Sequence, residues 1–174
     1  LVDITHEIEP QNVAQAAYVL GTAAGYFPEG TVHLVVVDPG VGTSREGLAA
    51  RRGESYFVAP DNGVLSYAAF PPDEVVYLRN TRFQRPEVSS TFHGRDIFAP
   101  AAAHLSLGVP LAELGPPARE PASLPQPQPL RQGKLLIGQV IHIDRFGNLI
   151  TNLRRQDLPD ADGAKEERRE AMDS

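Results

Sequence analysis

Asp38-Pro39-Gly40-Val41-Gly42-Thr43-Ser44-Arg45 places a carboxylate and a guanidinium at the two ends of a loop that contains two glycines. Asp38 follows the β-branched, apolar run over residues 31–37, and the ends of such strands are where open sheets carry their ligand-binding loops. Gly40 and Gly42 admit dihedrals, or a ligand approach, that a side chain would forbid. Arg45 supplies a permanent cation with a planar donor fork. The pair is a candidate for chemistry and equally for a structural ion pair that closes the loop. The loop lacks the lysine of a Walker A motif and the G-x-G-x-x-G spacing of a dinucleotide fingerprint.

His93, in the polar stretch Thr91-Phe92-His93-Gly94-Arg95-Asp96, has the chemistry of a general base, a water-orienting group or a metal ligand; a lone loop histidine also occurs simply as a structural or solvent-facing residue. His6, His33, His104 and His142 are not grouped at ligand spacing and no cysteine is present, so no metal site is expected. His33 and His142 lie in strand-like runs and read as packing or face residues. Asp61 and Asn62 precede Gly63 and are favoured turn formers that need no functional explanation. The same holds for Asp144, Phe146 and Asn148, which nevertheless offer a carboxylate, an aromatic face and an amide within five residues. Such a turn can hold the amine, carboxylate or base of a small metabolite.

The elements that must position these groups follow from periodicity. Leu1 to Ile4 has the character of a buried strand, and the opening does not look like a start of translation, so the chain reads as clipped there. Val13, Ala16, Ala17, Leu20, Ala23, Ala24 and Phe27 recur at spacings of three and four, which predicts an amphipathic helix ended by Pro28-Glu29-Gly30. The continuous apolar run at 31–37 predicts a strand covered on both faces, and strand, helix, strand in succession predicts a βαβ unit. Further strands are expected at 55–59 and 75–78, a short helix from Val64 to Ala69, and a second helix from Ile97 to Leu107 with Asp96 near its N-terminus. Six prolines between Pro116 and Pro129 exclude a regular helix or central strand there. Residues 135–143 and 149–153 read as a hairpin around the turn at 145–148. The charged segment 164–174 reads as frayed helix or disorder. The organisation expected is an α/β domain over 1–115, a proline-rich linker over 116–130, the start of a β domain over 131–153 and a charged tail over 154–174.

Bulk composition narrows the function. With 174 residues, 41% hydrophobic and 22% charged, the chain can bury a core. Its net charge of −6 without a basic run disfavours nucleic acid. The absence of cysteine removes disulfides and thiolate chemistry and is compatible with the cytoplasm. No apolar run approaches the roughly 20 residues that span a bilayer, so no membrane partner is expected.

The loop at 38–45, Pro60-Asp61-Asn62-Gly63, Thr91 to Asp96, and Ile143-Asp144-Arg145-Phe146-Gly147-Asn148-Leu149-Ile150-Thr151-Asn152 together resemble the S-adenosylmethionine hydroxide adenosyltransferase family, the S-adenosylmethionine hydrolases related to the fluorinases and chlorinases. Asp3-Ile4-Thr5-His6-Glu7-Ile8 is similar to an early motif of that family. The resemblance implies an N-terminal α/β, sandwich-like domain, a partial C-terminal β-barrel-like domain and a homotrimer with substrate between neighbouring subunits. It implies that Asp38, Arg45 and His93 form the catalytic set, and that Asp61, Asn62, Asp144, Phe146 and Asn148 bind substrate. The reaction implied is attack of water or hydroxide at the ribose C5′ of S-adenosylmethionine, giving adenosine and L-methionine with no cofactor. Retention of the Asp–Arg–His set favours water over a halide as nucleophile. The family's usual ribose-gripping Thr-Asp-Phe-Gly segment and most of its C-terminal barrel have no counterpart in this sequence, so a non-catalytic adenosyl-binding remnant is the alternative, with a halogenase less favoured.

Overall fold

The computed structural model describes residues 1–133 and 135–158; of the tail expected over 154–174, the part from 159 onward lies outside them, and the described part holds a 3₁₀ turn, Arg155–Asp157. The chain divides into two compact units, Leu1–Pro125 and Gln126–Ser174.

The first unit is built on a four-stranded mixed sheet of β1 (Val32–Leu34), β2 (Gly47–Arg52), β3 (Ser55–Pro60) and β4 (Glu74–Tyr77), ordered β1-β3-β2-β4. β1 runs parallel to β3, whereas β2 is antiparallel to both β3 and β4. Register decides which residues meet which helix. Ala49 pairs with Val58 and Val76, and these three pack with Phe98, Ala101 and Leu105 of the C-terminal helical region. Their neighbours Ala50, Phe57 and Val75 point the other way and pack with Ala16 and Leu20 of helix α1 (Val13–Ala23). Both faces are therefore covered, which is why β2 carries the continuous apolar run Leu48, Ala49 and Ala50 rather than an alternating pattern.

Helix α1 starts where the Asn12 side chain accepts from the Gln15 N–H at 2.9 Å. It passes into a 3₁₀ turn, Ala24–Tyr26, ahead of Pro28. Helix α2 (Ala99–Ser106) is preceded by a π-helical segment, Gly94–Phe98. Such segments distort the regular ladder and are frequent beside functional sites. The stretch Pro116–Ala118 adds to the outer edge of β4, where the Tyr77 N–H donates to the Pro116 carbonyl and the Ala118 N–H to that of Val75.

Several expectations change. Leu1 to Ile4 is not a strand, so α1 does not join two parallel strands and the βαβ unit is absent. The composition favoured a strand, but a ladder needs a partner and these residues have none among the described ones. The segment after Gly63 forms turns rather than a helix.

The second unit holds two separate antiparallel pairs, β5 (Leu130–Gln132) with β6 (Leu135–Ile137), and β7 (Val140–Ile143) with β8 (Leu149–Thr151). The hairpin read from sequence is the latter pair, with an irregular register between Val140 and His142. The barrel-like C-terminal domain is not found. Among the described residues no sheet curls or closes, because pairs of three- and four-residue strands are too few and too short for closure.

Candidate active site

The loop at 38–45 leaves the β1 end of the sheet and returns into β2. Thr43 closes it, its hydroxyl donating to the Gly40 carbonyl at 2.6 Å and its N–H to the same oxygen at 3.2 Å. Gly42 sits at φ +77° with the Ser90 carbonyl oxygen 2.5 Å from where a Cβ would stand. This is the position in the loop where both dihedral and space demand glycine. The loop from 89 to 93 therefore rests directly on the loop from 38 to 45.

Asp38 and Arg45 meet as a two-point pair. Arg45 Nε donates to Asp38 Oδ1 at 2.9 Å, and Arg45 Nη2 donates to Asp38 Oδ2. Both side chains are buried, with 5% and 9% exposure. Arg45 Nη1 donates to the Glu46 carbonyl at 2.8 Å, and the guanidinium stands 5.3 Å from the centre of the Phe98 ring. Its second Nη2 hydrogen meets His93 Nδ1 at 3.2 Å.

That contact fixes the histidine. Guanidinium has no acceptor, so His93 Nδ1 must accept and the ring proton of the neutral imidazole must reside on Nε2. His93 thereby presents a donor, and its lone pair is already engaged by Arg45. Four of the five Arg45 N–H groups are used in these bonds, which leaves one Nη1 hydrogen for a ligand. The three residues singled out from the sequence are thus brought together.

Asp61 and Asn62 adjoin them. The Asn62 amide donates to the Val37 carbonyl at 2.8 Å, immediately before Asp38, and its oxygen accepts from the Val64 N–H at 3.2 Å. Asp61 Oδ1 accepts from the Ala122 N–H at 2.7 Å. Burial pushes the Asp61 carboxyl up, while the Ala122 hydrogen bond and the Arg45 charge pull it back. Much of the polar capacity of both residues is spent on backbone, so the turn itself positions Asp38.

In the second unit, Asp144 organises the hairpin turn. Its Oδ1 accepts from the Phe146 and Asn148 N–H groups, each at 2.9 Å, and its Oδ2 from the Asn148 amide at 2.7 Å. The Asn148 side chain, followed by its backbone N–H, holds the Asp144 carboxyl below the usual carboxylate range. Phe146 is 85% exposed at the tip. Asn148 is exposed as well.

Sequence reasoning left two contributors unassigned. Phe98 lies under the guanidinium, and Asp96, read only as a helix-start residue, is a fully buried charge. The signal for Asp96 was its place between Arg95 and an apolar run, within reach of Arg85. Among the described residues no group of three or more potential ligands could hold a metal ion, and no helix is long and apolar enough to cross a membrane.

Residues 1–115 match the model of the SAM hydroxide adenosyltransferase N-terminal domain, and residues 138–171 that of the C-terminal domain. The chain is 45% identical to a (R)-S-adenosyl-L-methionine hydrolase of Thermus thermophilus, across 89% of this chain and 63% of that protein. Identity is also 45% to the protein of that name from Salinispora tropica, covering 86% and 59%. A fluorinase from an Actinoplanes species is 30% identical, covering 92% and 64%. The chain thus spans about three-fifths of the length of the curated relatives it matches. The crystal structure of an uncharacterized conserved protein from Thermotoga maritima superposes with a TM-score of 0.81 at 46% identity, covering 87% of this chain and 60% of that one. By its motifs, its fold and these matches, the chain belongs to the SAM hydroxide adenosyltransferase family.

Proposed function

We propose that the chain hydrolyses S-adenosylmethionine to adenosine and L-methionine, with Asp38, Arg45 and His93 as the catalytic residues. The observation that carries this reading is the contact of Arg45 Nη2 with His93 Nδ1, which turns His93 Nε2–H and the remaining Arg45 Nη1–H into donors beside an ion pair of zero net charge. The curated relatives at 45% identity carry the name of that hydrolase.

The chemistry needs little beyond what these groups offer. The bond from oxygen to C5′ forms as the C5′–S bond breaks, and the bonding pair moves to sulfur. The sulfonium becomes the neutral thioether of methionine, so the leaving group requires no proton. The water gives up one proton overall, and with hydroxide as the nucleophile that proton passes to solvent before the attack. With the His93 lone pair engaged by Arg45, the two donors suit an oxygen with developing negative charge, and hydroxide held between them is the favoured nucleophile. Asp38 orients the guanidinium and keeps the site neutral toward a cationic substrate.

Asp61, Asn62, Asp144, Phe146 and Asn148 are the substrate-binding residues of this reading. The ionised Asp144 suits the methionine ammonium, and the Phe146 face suits the adenine ring. The resemblance to the family supports a homotrimer in which the turn at 144–148 serves a neighbouring subunit. A chain without cysteine is in keeping with action in the cytoplasm.

Incubation of the purified chain with S-adenosylmethionine, followed by chromatography of products, tests the assignment. Adenosine and methionine are expected in equal amounts. His93→Ala and Arg45→Ala are each expected to lower kcat about 100-fold, the usual effect of removing one donor to a developing anion. Unchanged turnover in either variant removes that residue from the site.

A further inference from the structure

His93 is not held by a strand or by the interior of a regular helix; it stands one residue before the π-helical segment. Among the described residues its ring makes one side-chain hydrogen bond, to Arg45. Where that ring lies therefore depends on what fixes the backbone from 89 to 96. Gly94 lies against Val36, whose Cγ1 would be 3.1 Å from an added Cβ, and Ser90 is seated on Gly42. Both of these are packing contacts that set a close approach and carry no hydrogen bond of their own.

Asp96 is the polar anchor. Its carboxylate is fully buried and takes Arg95 Nε on Oδ1 at 2.7 Å, with Arg95 Nη2 at 3.0 Å and the Ser89 N–H at 2.9 Å on Oδ2. Arg85 Nε stands 3.8 Å from Oδ1. The Asp96 backbone continues the web, its N–H donating to the Phe92 carbonyl at 3.0 Å and its carbonyl accepting from the Arg85 N–H at 2.9 Å. Arg95 also lies 4.9 Å from the centre of the Phe92 ring. One residue thus grips the chain on both sides of His93 while making no hydrogen bond to Asp38, Arg45 or His93 among the described residues. An ionised carboxylate is buried at a large desolvation penalty unless several donors meet it, and capping a helix does not require that burial.

We infer that Asp96 is a positioning residue: through Ser89, Phe92 and Arg95 it holds the backbone that sets His93 Nδ1 against Arg45. The inference builds on the role given to His93 above, and its test reads the imidazole itself as well as the product. Ring-nitrogen NMR of the full chain compares wild type, Asp96→Asn and Arg95→Gln, with Leu111→Ala as a control that loosens the core without touching this loop. Wild type and Leu111→Ala are expected to show His93 as a single Nε2–H tautomer. In Asp96→Asn, and more weakly in Arg95→Gln, the two ring-nitrogen signals are expected to move toward each other as the second tautomer fills. Where the wild-type chain turns over S-adenosylmethionine, kcat is expected to fall roughly 10- to 100-fold, as for a displaced catalytic group, with KM within about twofold.

His93 remaining a single Nε2–H tautomer in both variants overturns the proposal; if Asp96→Asn does not fold, the same result in Arg95→Gln alone does so. An equal change in Leu111→Ala also overturns it, because the effect is then general loosening. A wild-type chain without turnover tells against the proposed reaction and leaves the NMR comparison to decide the role of Asp96.

Discussion

Removing the Asp38 carboxylate strands Arg45. Its guanidinium is 9% exposed and gives two of its N–H groups to Asp38, while the Glu46 carbonyl and His93 take two more. Asp38→Asn removes the charge and turns one acceptor into a donor that faces Nη2. Breaking a buried pair on one side costs roughly 3–5 kcal/mol, and the two surviving acceptors put this case at the low end, about 3 kcal/mol. Arg45→Met strands Asp38 in turn and is expected to cost a similar amount. The double variant strands neither charge, so its loss should fall short of the sum by about 2 kcal/mol or more. All five tyrosines, Tyr18, Tyr26, Tyr56, Tyr67 and Tyr77, lie in the first unit, and the chain has no tryptophan. Urea unfolding followed by tyrosine fluorescence therefore reports on the unit that holds the pair. With a slope of about 2 kcal/mol per M, Asp38→Asn should lower the midpoint by about 1.5 M. A loss below about 1 kcal/mol, the range of exposed pairs, or additive single losses, would show that the pair is not the buried lock inferred from its geometry.

Three further outcomes follow from other features. Gly42→Ala meets both a φ of +77° and the Ser90 carbonyl, and should destabilise the first unit by roughly 1–3 kcal/mol while lowering kcat through displacement of the His93 loop; equilibrium unfolding and steady-state kinetics check it. His33 is buried between Phe27 and Phe57 with Nε2 unpartnered, and burial lowers its pKa. Its neutral form is favoured in the folded state, so stability is lost as pH falls below the unfolded value of 6.5; His33→Phe should unfold at higher urea than wild type, and by a wider margin at pH 5.5 than at pH 7.5. Asp144→Ala removes three hydrogen bonds from the hairpin turn, and amide exchange at Phe146 and Asn148 should accelerate while that of Val58 in the first unit does not change.

Much of the candidate site was legible because its parts are short motifs: Asp38, Arg45 and His93 could be named before their contact was known. Helix α1 and strands β3 and β4 were legible from periodicity and β-branched runs. Strand β2 was not, since Leu48-Ala49-Ala50 carries little β preference and becomes a central strand only because helices press on both faces. Leu1 to Ile4 shows the reverse failure, strand-like in type but without a ladder. The contact of Arg45 with His93 Nδ1 joins residues 48 positions apart. No local pattern reports it, yet it decides whether the histidine donates or accepts. The burial of Asp96 is a tertiary fact of the same kind.

The most direct measurement of the proposed reaction is hydrolysis of S-adenosylmethionine in H₂¹⁸O, with mass analysis of both products. Attack at C5′ places the heavy oxygen in the 5′-hydroxyl of adenosine and none in methionine, and His93→Ala should suppress both nucleoside and label. Adenosine without the label, or no adenosine at all, would contradict the assignment.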